Sequence, residues 1–178
     1  MRVISGSLKG RNFTSPNTSR THPMSDKIRG ALFNTLGDID GLTVLDPFAG
    51  SGAVSFEAIS RGAASALLIE ADKPAQQAIE QSIRDLHVQT VAKLIKANCS
   101  SWSDTNPAQQ LDLVLADPPY DNVQMVVLGK LVRHVVPGGL FVLSFPGSES
   151  LPTFDGCELI VNKTYGDARL LFYRAADV

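Results

Sequence analysis

The sequence has only two cysteines in 178 residues, Cys99 and Cys157, and neither sits in CxxC or Cys–His spacing. This excludes a zinc site or a disulfide framework built on sequence spacing, and both are read as free thiols. The three histidines, His22, His87 and His134, also lack partner spacing, and no metal is expected. No apolar run approaches the roughly 20 residues of a membrane span. The start MRVISGSLKGRNF has neither an apolar signal core nor a cleavage site, so a cytoplasmic protein without membrane contact is expected. There is no Gly-Lys-Ser/Thr phosphate loop, no internal repeat and no low-complexity tract. What remains is 44% apolar. That suffices for one well-buried core but not for two comfortable domains, so residues 1–178 are read as one domain.

Charge is scarce overall but unevenly placed. Residues 1–30 hold Arg2, Lys9, Arg11, Arg20, Lys27 and Arg29 against Asp26 alone, whereas the remaining ten basic residues face seventeen acidic ones. A basic front end on an acidic chain is either a solvated leader or a surface for a phosphate backbone.

The first 37 residues read as an extension, with short strands at Arg2–Ser5 and Arg11–Thr14 around Gly6 and Gly10 forming a small hairpin. A loop over 15–24 leads to Ser25, which can cap a helix over 26–36 with Ile28, Leu32 and Leu36 on one face and Gly37 beyond its end. From residue 38 strands and helices alternate. Strands are predicted at 42–46, 66–70, 91–96, 111–116 and 140–144, and helices at 53–61, 74–87 and 123–135, with a turn at Pro137-Gly138-Gly139. Segment 100–110 has no clear pattern, and Trp102 within it receives no role. Glu158–Asn162 and Arg169–Arg174 leave no room for a helix between them and predict an antiparallel hairpin. The fold class is therefore α/β: a Rossmann-like, mostly parallel sheet with helices on both faces, a reversed C-terminal hairpin and a small N-terminal hairpin and helix.

Three strand ends in this scheme are acidic and should meet at one crevice. Asp46 opens DPFAGSG (Asp46–Gly52), where small residues turn the chain into a helix whose N-terminus offers unpaired N–H groups. Its spacing through Gly50, Gly52 and Ser55 lacks the third glycine of a dinucleotide fingerprint. A carboxylate at Asp46 would repel a pyrophosphate and suit a ligand bearing an ammonium group. Glu70 lies eighteen residues after Gly52, near the interval at which an acid reaches ribose hydroxyls. Glu70 and Asp72 as plain helix caps are the alternative. Asp117-Pro118-Pro119-Tyr120 follows the apolar run 113–116. Two prolines contribute carbonyls without N–H groups, so this turn accepts hydrogen bonds and suits an amino group. Tyr120 adds a flat face for a nucleobase.

DPFAGSG, LLIEAD and DPPY, in that order and spacing, resemble the motifs of class I S-adenosylmethionine-dependent methyltransferases that modify exocyclic amino groups. RVISGSLKGR, the segment His22–Asn34 and YGDARLLFY (Tyr165–Tyr173) extend the resemblance to the RsmD family of bacterial 16S rRNA guanine-N2 methyltransferases, over nearly the whole chain. The resemblance implies S-adenosyl-L-methionine as cofactor, with its methionine part held by Asp46, Phe48, Ala49, Gly50 and Gly52 and its ribose by Glu70 and Ala71. Asn98 and Cys99 would lie at the adenine, with Asn98 as an ordinary turn residue equally open. Met24, Ser25 and Phe33 would close the pocket. Asp117, Pro118, Pro119 and Tyr120 would hold the target base, and Arg2, Lys9, Arg11, Arg20, Lys27 and Arg29 would contact RNA. The implied partner is 16S rRNA, within a small ribosomal subunit or its assembly intermediate, met by a monomer. Two positions depart from the family pattern: Gly30 stands where a glutamate is expected, and Ser144–Ser150 follows the fifth strand where an acid is usual.

The implied chemistry is in-line methyl transfer to the exocyclic nitrogen of guanine, with Asp117 as orienting acceptor. A DNA adenine-N6 or cytosine-N4 methyltransferase would share the DPPY chemistry, but the chain has no room for a separate recognition region. A non-catalytic RNA-binding assembly factor and an NAD-dependent oxidoreductase are further readings, to be separated by cofactor binding.

Overall fold

A computed structural model describes residues 1–18 and 23–177. Helix α1 (Asp26–Leu36) begins where Ser25 accepts a hydrogen bond from the Ile28 N–H and stops at Gly37, whose positive φ no β-branched residue would adopt comfortably. The core then runs β1 (Thr43–Asp46), α2 (Ala53–Ser60), β2 (Ser65–Glu70), α3 (Lys73–Asp85), β3 (Ala92–Lys96), α4 (Cys99–Thr105), β4 (Leu111–Ala116), α5 (Met125–Val132), β5 (Val135–Pro146), β6 (Cys157–Tyr165) and β7 (Ala168–Ala175). The seven strands form one sheet in the order β3-β2-β1-β4-β5-β7-β6. Strands β1 to β5 are parallel, and β7 inserts antiparallel between β5 and β6.

Strand alternation divides the core into two layers. Val44, Leu68, Leu113 and Phe172 face one side, where α1, α2 and α3 contribute Leu32, Phe56 and Ile79. Their neighbours Leu45, Ile69, Val114 and Tyr173 face the other, where α4 and α5 contribute Trp102, Leu128 and Leu131. Period-two side chains on a sheet covered on both faces require this arrangement. Chain order reverses at β1, with β2 and β3 on one side and β4 on the other, and the crevice this opens lies at the carboxyl ends of the strands.

Several boundaries differ from the sequence reading. The N-terminal hairpin is reduced to one bridge, Arg2 with Asn12, supported by backbone bonds such as Val3 N–H to Arg11 O at 3.0 Å. On α1 the buried residues are Arg29, Leu32 and Phe33, while Ile28 and Leu36 are only partly covered. The unassigned segment contains α4, capped by Asn98. The helix predicted over 123–135 is shorter, because a 3₁₀ turn (Tyr120–Asn122) and an extended Val123 carry the chain away from the double proline first. Pro137-Gly138-Gly139 is not a free turn but a bulge inside β5: Leu111 pairs with Val135 and Leu113 with Leu140. At Gly139 a Cβ would lie 2.6 Å from the Asp112 carbonyl, so only glycine fits the close approach.

Candidate active site

The carboxyl ends of β1, β2 and β4 meet at a cleft of about 950 Å³. Asp46, Phe48, Ala49, Gly50, Glu70, Ala71, Asn98, Cys99, Asp117, Pro118, Pro119 and Tyr120 line it, and Met24 and Ser25 close one side from the start of α1. Two expected residues do not reach it. Phe33 is 1% exposed and packs in the first core beneath the Arg61 guanidinium, 5.1 Å from its ring centre, because its position on α1 turns it toward α2. Gly52 shapes the turn from behind: a Cβ there would meet the Phe56 ring at 2.6 Å, pointing into the core.

Asp46 is 2% exposed and accepts a hydrogen bond from Ser55 Oγ at 2.8 Å. Burial pushes its pKa up to about 7; the Ser55 bond opposes the rise, and the Asp117 and Glu70 charges add to it. Ser55 appeared in the sequence only as the position where a dinucleotide motif would carry glycine. Asp117 is also pushed up, to about 6, by burial against an opposing hydrogen bond from Ser144. Glu70 accepts from the Gly50 N–H at 2.7 Å and the Asp72 N–H at 2.8 Å, so its carboxylate braces the glycine turn of β1 and keeps further lone pairs for a ligand hydroxyl. Asp72 caps α3 through the Ala75 N–H.

Asn98 serves as a cap: its side-chain carbonyl accepts from the Ser100 and Ser101 N–H groups. Acceptance from an adenine amino group, the role the family resemblance implies, would compete with those bonds, which fit the alternative reading of Asn98 as a local turn residue. Burial raises the Cys99 thiol to about 11, so it is an uncharged part of the wall. Ser144 and Ala168 also line the cleft; neither was expected there as a site residue, although Ser144 opens the segment that departs from the family pattern and Ala168 lies within Tyr165–Tyr173.

The basic front end is more divided than its composition suggests. Arg29 is fully buried, contacting Glu57 Oε2 at 3.7 Å and Asp26 at 3.0 Å and donating to the Arg2 carbonyl at 3.0 Å. It is therefore corrected from an RNA contact to an internal clamp: a guanidinium without solvent access cannot meet a phosphate. Arg11 is exposed, but its guanidinium binds the carbonyls of Asp85 and Leu86 at the end of α3. Arg2, Lys9 and Lys27 are exposed. Arg20 lies outside the described residues.

Comparison with known proteins bears on the family and the fold. The model of the family described as "Conserved hypothetical protein 95" matches residues 1–174. The chain is 36% identical over 119 residues to a protein of Buchnera aphidicola (subspecies Acyrthosiphon pisum) named Ribosomal RNA small subunit methyltransferase D, covering 66% of this chain and 62% of that protein. A protein of the same name from Haemophilus influenzae is 27% identical over 180 residues, 98% of this chain and 93% of its own length. The solved structure of a hypothetical protein from Thermus thermophilus superposes with a TM-score of 0.83 at 28% identity, over 100% of this chain and 99% of that one.

Proposed function

The chain belongs to the RsmD-like methyltransferase family, that of Conserved hypothetical protein 95, and from this premise we propose that it transfers a methyl group from S-adenosylmethionine to the exocyclic N2 of a guanine in 16S rRNA. The observation that carries the reading is the convergence of Asp46, Glu70 and the Asp117–Tyr120 turn on one cleft. The cleft fits such a cofactor: its volume is within the range of ligand sites, Asp46 offers a buried carboxylate to an ammonium group, and Glu70 retains acceptors for ribose. When bound, the cofactor would supply an electrophilic methyl carbon on a sulfonium, with the thioether as the leaving group.

The residues of the chain act on the other reactant. Guanine leaves its stack to reach so enclosed a site. Tyr120, 40% exposed at the mouth, offers the flat face that receives it. Asp117 and the Pro118 carbonyl accept hydrogen bonds from the amino group, which favours a pyramidal nitrogen with its lone pair aimed along the transfer axis. Even with its pKa pushed up to about 6, Asp117 is too weak a base to remove a proton from the neutral amine. It takes the proton only after the nitrogen has become cationic. Most of the acceleration comes from holding the reacting atoms in line, a contribution that can reach about 7–11 kcal/mol.

The test is transfer of labelled methyl from S-adenosylmethionine to small ribosomal subunits and to free 16S rRNA, both lacking the modification, followed by nucleoside analysis. N2-methylguanosine is the expected product. Label in DNA alone would point to adenine-N6 or cytosine-N4 chemistry, and cofactor binding without transfer to any nucleic acid would sink the enzymatic reading.

A further inference from the structure

Ser144 stands beside the turn that carries Asp117, and its hydroxyl holds the Tyr120 end of that turn. The parallel pairing of Ala116 with Leu143 sets Asp117 and Ser144 next to each other at the ends of β4 and β5. Alternation sends Leu143 into the second core and leaves Ser144, 3% exposed, on the cleft wall. Its Oγ lies 2.6 Å from Tyr120 Oη, and its position beside the Asp117 carboxyl favours the ionised form of that acid.

Proton counting gives this chain a direction. A hydroxyl has one proton and two lone pairs, and an ionised carboxylate can only accept. A Ser144 proton turned to an ionised Asp117 leaves the Ser144 oxygen to accept from the phenol of Tyr120; the 2.6 Å contact itself admits either donor. The other acid facing Asp117 is Asp46 at the end of β1, and when both are ionised their charges repel.

We propose that Ser144 is a positioning residue, holding the aromatic face of Tyr120 and the carboxylate of Asp117 in one fixed relation, so that a planar base with an exocyclic amino group is stacked and hydrogen-bonded in a single orientation. The proposal rests on the methyl-transfer reading of the cleft. Without the Ser144 hydroxyl the half-exposed Tyr120 ring loses its tether, and Asp117 loses a donor that favours its ionised form and directs its remaining lone pairs toward the cleft.

The test separates the hydroxyl chain from the chemistry. The Asp117 carboxyl is followed by carbon-13 NMR titration of the ligand-free protein in wild type, Ser144→Ala, Ser144→Thr and Tyr120→Phe. Loss of a hydrogen bond to a charged group should raise the proton affinity of Asp117 about tenfold in Ser144→Ala. Ser144→Thr should restore the wild-type midpoint, and Tyr120→Phe should leave it in place, because Ser144 still donates. In methyl transfer, Ser144→Ala should lower kcat with the KM for S-adenosylmethionine unchanged, and the acid limb of its pH–rate profile should follow the NMR midpoint upward. A midpoint unmoved by Ser144→Ala, or moved equally by Tyr120→Phe, overturns the proposed direction and role. Absence of transfer by the wild-type protein overturns the reading of the cleft, and with it the positioning role, even where the titrations behave as expected.

Discussion

Asp46 and Asp117 hold their carboxyls where water has little access, and this sets how the ligand-free protein responds to pH. Both folded-state pKa values, about 7 and about 6, stand above the ordinary value of 3.8. The native state therefore keeps protons that the unfolded chain releases. The resulting stability is present in full below about 3.8 and is lost as pH rises through about 6 to 7. Asp46→Asn keeps an acceptor for Ser55 and removes the ionisation. Calorimetry should find it more stable than wild type at pH 8 by about 1–3 kcal/mol, with the difference shrinking toward pH 4; an equal difference at both pH values would show that Asp46 titrates normally. The same substitution should weaken binding of S-adenosylmethionine, whose ammonium group needs the ionised form. Asp117→Ala separates the two roles: transfer should fall about a hundredfold or more, while cofactor affinity measured by isothermal titration stays near wild type. Cofactor affinity lost along with transfer would merge the two roles. Asp46, Glu70 and Asp117 were legible as site residues because an acid at the end of an apolar strand is conspicuous. Ser55 and Ser144 were not, since a serine beside apolar residues carries no mark until its hydroxyl is seen against a partner, Asp46 for one and Tyr120 for the other.

At the scale of elements, the N-terminal segment is held to α2 by a polar patch that no motif announced. Glu57, fully buried, accepts from the N–H groups of Ile4 and Ser5 at 2.9 and 3.0 Å and meets Arg61 at 2.9 Å as well as Arg29. Ser60 accepts from the Leu8 N–H at 2.8 Å and donates to the Ser5 carbonyl. Arg29 links this patch to Arg2 and to the Met24 carbonyl, so the segment and the cleft wall share one anchor. Glu57→Gln would leave the buried Arg29 with only the exposed carboxylate of Asp26 as charge partner, a loss approaching about 3 kcal/mol. Hydrogen exchange should then show faster exchange over residues 1–13 with the sheet still protected. Unchanged protection there would mean that the apolar contacts of Val3 and Phe13 suffice. Helix α1 was readable from its caps, and α3 had Asp72 as a candidate cap, which it is. The short α4 was hidden, because its seven residues carry too few turns for a periodic signal and it forms through Asn98 capping and the burial of Trp102 against His134.

For the whole molecule, the surplus of positive charge at the start of the chain is smaller at the surface than in the sequence. Burial removes Arg29, and the end of α3 engages the exposed Arg11, which leaves Arg2, Lys9 and Lys27 as the exposed cations of the described front end that no internal contact engages. If these meet phosphate, Lys9→Gln and Lys27→Gln should each lower the salt dependence of rRNA binding by about one counterion. The affinity loss should be similar across RNA sequences, and an unchanged slope would make them solvated charges.

By itself the sequence determined the alternation of strands and helices, the reversed hairpin at the end and the three acidic strand ends, because period-two and cap signals are local and are written in neighbouring residues. Only the tertiary structure decided which cations are spent internally, that Phe33 and Gly52 face the core, that the Pro-Gly-Gly segment is a bulge within β5, and that Ser144 completes the cleft. Each of these depends on a partner brought from another element, as Glu57 to Arg29, Phe56 to Gly52, Asp112 to Gly139 and Tyr120 to Ser144. Such contacts exist only once the sheet has set its strands side by side.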